Sequence, residues 1–162
     1  MSNIANNNKV KDKIQKWLLD EGYKIQTVPN EKASFAIMAT DSQDIKTQII
    51  QPKGKDDLAV IVAGITFSEE QQSALKNKEV KERTRILWEM RFGLLNMGVG
   101  FGGITVPIKN IQVSTHIYHD GLNKNAFMEK IAQVKRAVLF VLWSINKELG
   151  EIKPQLDSSG IV

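Results

Sequence analysis

The chain of 162 residues has no cysteine, two histidines and only four prolines. Without cysteine there can be no disulfides, no thiolate metal sites and no cysteine nucleophile. No stretch reaches about 18 uninterrupted apolar residues, so no membrane span is expected. Met1 to Asn8 lack the basic-then-apolar order of a secretion signal, and a cytoplasmic location is the expectation. Aromatics make up 7% of the residues, and the charged residues are of mixed sign along most of the chain, so the net charge of +4 reads as a solubility charge.

What is present is ordinary for a globular chain, with 42% hydrophobic and 25% charged residues. A domain of this size buries roughly two thirds of its unfolded surface and needs no staple to hold a core. The expected organisation is a flexible leader over residues 1–8, marked by Asn6, Asn7 and Asn8, a single domain over 9–150, and a loose tail over 151–162 after the last helix.

Val10, Ile14, Trp17 and Leu18 form one apolar stripe and predict a first helix from about Lys9 to Glu21, stopped by Gly22. From Tyr23 to Thr66 the period changes to two. Four strands follow, carried by Tyr23-Ile25-Thr27, Phe35-Ile37-Ala39, Ile45-Thr47-Ile49 and Leu58-Val60-Val62. Their connections are too short for crossover helices, which makes the sheet antiparallel. Ala36, Met38, Ala59, Ile61 and Ala63 suggest that the second and fourth strands are covered on both faces, whereas Lys46 and Gln48 suggest a wet face on the third.

Ser68 with Gln71 has the form of a capping box and starts a long helix to Met97, with a candidate break near Asn77. Val80, Leu87, Met90, Leu94 and Met97 are its expected buried side, and the charges interleaved from Lys76 to Arg91 read as a solvated face. Gly98, Gly100, Gly102 and Gly103 then form a candidate mobile loop. A fifth strand follows over Ile111 to Ile117. Asp120-Gly121 or Asn123 opens the last helix, which from about Asn123 to Leu149 would be about 40 Å long, with Phe127, Ile131, Val134, Val138, Val141, Ile145 and Leu149 as its stripe. The expected fold class is therefore α+β, an antiparallel sheet of about five strands in the order α-β-β-β-β-α-β-α with two long helices packed on it.

Each motif with chemical potential has a plainer explanation beside it. The glycine series follows a helix and leads into a strand, the reverse of a nucleotide-binding loop, so a connector is the favoured reading. His116, His119 and Asp120 are the compact group of metal-ligating types, but a histidine on a strand and one at its end need not converge, no further ligand is near in sequence, and no metal or other cofactor is expected. Asp41, Asp44, Asp56 and Asp57 fall in turns that explain them. No serine sits in a nucleophile elbow, so no catalytic residue is assigned. Lys9, Lys11, Lys13 and Lys16, and Lys130, Lys135 and Arg136, make basic helix edges without a recognition motif.

The strongest remaining feature is the apolar surplus of the last helix at Leu139, Phe140, Leu142 and Trp143. A helix apolar all round must be buried on more than its sheet-facing side. Burial within the monomer and a homodimer interface are both open.

Element order, with Val10 to Gly22, Ala33 to Thr40, Leu58 to Phe67 and Phe127 to Leu149, resembles the type III secretion chaperone-like fold. The resemblance is especially to its uncharacterised prokaryotic, archaeal-type relatives. It implies partner binding or self-pairing through helices and sheet surfaces, and supplies no functional residue. True secretion chaperones are usually acidic, whereas this chain is basic. The expectation is a non-catalytic protein-interaction module that forms a homodimer or binds another protein, with an open sheet edge as a second surface. Two alternatives stand beside it. One is a small-molecule binder or enzyme with a pocket between the sheet and the long helices, under the glycine loop; the other is nucleic-acid binding through the basic edges.

Overall fold

The computed structural model describes residues 2–150 and 155–156. Helix α1 (Ser2–Asp20) buries Val10, Ile14 and Leu18, four residues apart, and ends at Gly22 with φ +83°. It takes in the segment expected to be a leader from Ser2 onward, and Asn7 is buried within it. Three asparagines lower helix propensity without breaking a helix already held by its apolar face. The rest of the expected tail lies outside the described residues, apart from Gln155–Leu156.

Strands β1 (Lys24–Thr27), β2 (Ala33–Thr40), β3 (Lys46–Pro52) and β4 (Leu58–Thr66) form the expected antiparallel meander. After helices α2 (Glu69–Lys76) and α3 (Val80–Asn96) come β5 (Gly100–Gly102), β6 (Asn110–Tyr118), a short 3-10 turn over His119–Gly121, and α4 (Lys124–Leu149). A two-residue strand, β7 (Gln155–Leu156), pairs with the end of β4. The main sheet runs in the order β1-β2-β3-β4-β6-β5. Strand β6 returns to lie beside β4 in a nine-residue antiparallel ladder, from Leu58 opposite Tyr118 to Thr66 opposite Asn110.

Two details differ from the expected order. The sheet has six strands on its main path because the glycine segment contributes β5, which the lack of side chains concealed. The long second helix is two helices, because the chain leaves helical continuation between Asn77 and Glu79. Val80 then opens a new helix and stands 67% exposed instead of joining the buried side.

The Ser68 capping box is formed: its hydroxyl accepts from the Gln71 amide at 3.2 Å, and its own amide donates to Gln71 Oε1 at 2.8 Å. Asn123 caps α4 by accepting from the Ala126 amide at 2.9 Å. These caps place α2 and α4 by satisfying amides that lack intrahelical partners.

Period-two alternation gives the sheet two unlike faces. In register across four strands, Ile37, Ile49, Ile61 and Thr115 share the inner face. That face forms one core with Ile14 and Leu18 of α1, Leu75 of α2, Leu87, Met90 and Leu94 of α3, and Phe127, Ile131, Val134, Val138, Val141 and Ile145 of α4. The stripe expected for α4 is thus the inner lining of the helix layer. On the outer face, Met38, Gln48, Val62 and Ser114 stand in register, and Ala36, Met38, Gln48 and Val62 are buried although they lie outside the helix-side core. Gln48 was expected to be wet. Its central strand position, between Met38 and Val62, removes it from solvent instead.

Candidate interaction surface

Helix α3 carries apolar residues on two sides. Ile86, Leu87, Met90 and Leu94 point inward, while Trp88, Phe92 and Leu95 are 50%, 57% and 63% exposed. The spacing of these last three, four and then three residues, puts them on one stripe of the helix. Trp88 and Phe92 stack with ring centroids 5.6 Å apart and an interplanar angle of 29°. The Arg91 guanidinium lies 4.8 Å from the Trp88 ring centroid and also donates to the carbonyl of Ile104, so the tryptophan is held from one side. An aromatic pair held in this way offers contact area at little cost in side-chain entropy.

α3 is set against α4 by a close approach and an ion cluster. A Cβ built on Gly93 would fall 2.0 Å from Cζ of Phe140, so the ring occupies the space that glycine leaves. Arg85 bridges the helices, with Glu82 at 2.6 Å, Glu89 at 2.9 Å and Glu148 of α4 at 2.8 Å. Its hydrogen bonds to Glu82, Glu148 and Glu89 push the guanidinium pKa further up, so Arg85 stays charged at every working pH. Above the contact lies an open groove of about 330 Å³, floored by Met90, Gly93 and Phe140 and flanked by Trp143.

Of the four residues expected to form an interface, Leu139, Phe140 and Leu142 are half-buried against the core, and Phe140 is engaged with α3 inside the monomer. Trp143 is 68% exposed. The surplus at 139–143 is therefore divided between intramolecular packing and solvent. Trp88, Phe92 and Leu95 were missed because Arg85 before them and Glu89 and Arg91 among them read as a solvated face. Their regular spacing was the available signal.

The other sequence candidates are placed as follows. Gly98 (φ +72°) ends α3, Gly100 and Gly102 lie in β5, and Gly103 (φ +87°) packs so closely that a Cβ would sit 1.9 Å from the Asn110 carbonyl oxygen. His119 and His116 are used separately. His119 Nε2 lies 2.7 Å from Oε1 of buried Gln51, whose amide donates to the Lys55 carbonyl, while His116 packs edge-on against Tyr118. Burial lowers the His119 pKa, opposed by Asp57 and Asp56. Among the described residues no three His, Asp or Glu side chains gather as metal ligands.

Asp41 accepts from the amides of Gln43 and Ile45 and lies 2.7 Å from Lys135 of α4. Burial pushes its carboxyl up, but Lys135 and the two amides outweigh that and hold it below its ordinary value. It ties the β2–β3 turn to the helix layer. Asp44, Asp56 and Asp57 remain in turns. Lys16 pairs with Asp20, and Lys135 with Asp41, which removes two cations from the proposed basic edges. Fully buried Ile61, Ile65, Phe127 and Ile131 fill the centre of the sheet-to-helix space expected to hold a pocket, and a cavity remains at its edge beside Gly98 and Gly100, with Lys130 of α4 in its lining. No described helix is long and apolar enough to cross a membrane.

Residues 10–145 match the uncharacterized conserved protein family DUF2299. The chain belongs to that family. An uncharacterized protein from Methanothermobacter thermautotrophicus shares its fold: its crystal structure superposes with a TM-score of 0.80 at 34% identity, over 86% of this chain and 99% of the other. No curated protein matches significantly. The expected kinship with uncharacterised prokaryotic domains thus has an archaeal member, whereas neither finding carries the likeness to secretion chaperones.

Proposed function

We propose that the protein is a non-catalytic interaction module that self-associates through the outer stripe of α3, with Trp143 of α4 beside it. The observation that carries this reading is the stacked Trp88–Phe92 pair, each ring half exposed or more, followed by Leu95 on the same stripe. Isolated exposed hydrophobic residues are normal, but a contiguous aromatic stripe on a rigid helix favours a protein contact. A second copy is the occupant because a stripe of this kind is self-complementary. Two such helices related by a twofold axis bury Trp88, Phe92 and Leu95 against each other. A chaperone-like role toward other partners rests on element order.

Light scattering tests the reading. Wild-type protein should have the mass of a dimer, and the double variant Trp88→Glu, Phe92→Glu should have that of a monomer with an unchanged circular dichroism spectrum. A wild type that stays monomeric at high micromolar concentration would sink it.

A further inference from the structure

A second site opens at the far side of the sheet, where β6 outruns its neighbour. Strand β5 pairs with β6 only over Gln112 to Ser114. The amide of His119 donates to the Asp57 carbonyl at 2.7 Å, toward the β4 side. Backbone groups alternate in direction along a strand, so the N–H and C=O of His116 and Tyr118 point the other way, where no described strand pairs with them. A cavity of about 550 Å³ lies at this free edge.

Its lining is one-sided in charge. Lys55 and Lys130 reach it from the β3–β4 turn and from α4, with the imidazole of His116 between strand and solvent, and no carboxylate lines it. Leu58 and Val60 supply an apolar floor, and the Tyr118 and His116 rings meet edge to face with centroids 5.3 Å apart. Gly98 and Gly100 form the opposite wall. A Cβ at Gly100 would stand 2.9 Å from Ser114 Oγ, so glycine leaves that hydroxyl open.

Both walls are pinned by buried or half-buried glutamines. Gln51 holds the turn bearing Lys55 to the end of β6 through the Lys55 carbonyl and His119. Gln133, one helical turn from Lys130, donates to the Met97 carbonyl at 2.9 Å and fixes the start of the glycine wall to α4. A preformed cavity with two cations, hydroxyl groups and an apolar floor recognises an anion attached to something flat and apolar. We propose that this cavity binds a small organic anion, with its acidic group between Lys55 and Lys130 and its apolar body over Leu58 and Val60.

The two histidines make the test specific, since His116 lines the cavity and His119 is tied to Gln51 outside it. Phenyl phosphate titrated at constant pH should shift the His116 ring resonances saturably and leave those of His119 in place. Inorganic phosphate and benzyl alcohol, which each lack one half of the ligand, should bind at least about tenfold more weakly. Lys55→Met and Lys130→Met should each weaken phenyl phosphate by about tenfold, the loss of one charged contact. No saturable shift, equal shifts at both histidines, inorganic phosphate binding as well as phenyl phosphate, or lysine variants of wild-type affinity would each overturn the proposal.

Discussion

Helices α3 and α4 spend their apolar residues differently. α4 turns Phe127, Ile131, Val134, Val138, Val141 and Ile145 into the core and leaves Trp143 as its one large exposed hydrophobic residue. α3 buries four residues and exposes Trp88, Phe92 and Leu95 on the opposite side. Both helices hold the sheet, but only α3 has a second apolar stripe that the fold leaves uncovered. The contrast separates residues that stabilise the monomer from residues available to a partner.

The largest expected break in that contrast is at its buried pole. Phe127, fully buried and with its ring centroid 5.9 Å from that of Trp17, should cost about 3–5 kcal/mol when changed to alanine, measured by denaturant unfolding. Gly93→Ala comes next, because the new methyl overlaps Phe140 at the contact between the two helices. A loss of about 1–3 kcal/mol is expected, and adding Phe140→Ala should recover part of it. The outer stripe should behave in the opposite way: Trp88→Glu and Phe92→Glu should change monomer stability by no more than about 0.5 kcal/mol each while removing association.

The smallest effect is on pH dependence. The folded-state pKa of His119 is depressed below its unfolded value. The unfolded chain therefore binds the extra proton first, and stability present above the unfolded value, about 6.5, should decline as pH falls from there toward the folded value. A His119→Asn variant should show a flatter melting-temperature profile across that window. An identical slope in both proteins would remove the role given to the burial of His119.

The features most legible in the sequence were those set by local periodicity and capping. The stripe of α4, the alternation in β2 and β4, and the Ser68 and Asn123 caps depend on residues a few positions apart. Less legible was whatever depended on tertiary partners. Glycines 100 and 102 carry no alternation, so β5 emerges only through its pairing with β6. Val80 fell on the wrong side because the helix restarts after Asn77, which resets its phase. The Trp88 stripe lay among the charges of Arg85, Glu89 and Arg91, and only the placement of α3 against α4 shows which side faces solvent. The cavity at β6 joins Lys55, His116 and Lys130 from three separate elements, a convergence that no spacing along the chain displays.

The central claim is that a second copy covers the outer stripe of α3, and a dilution series followed by amide chemical shifts tests it most directly. Concentration-dependent shifts should map to the exposed side of residues 84–95 and to the neighbourhood of Trp143, and vanish in the Trp88→Glu, Phe92→Glu variant. Shifts that are absent, or that map instead to the outer sheet face around Met38 and Val62, would contradict it.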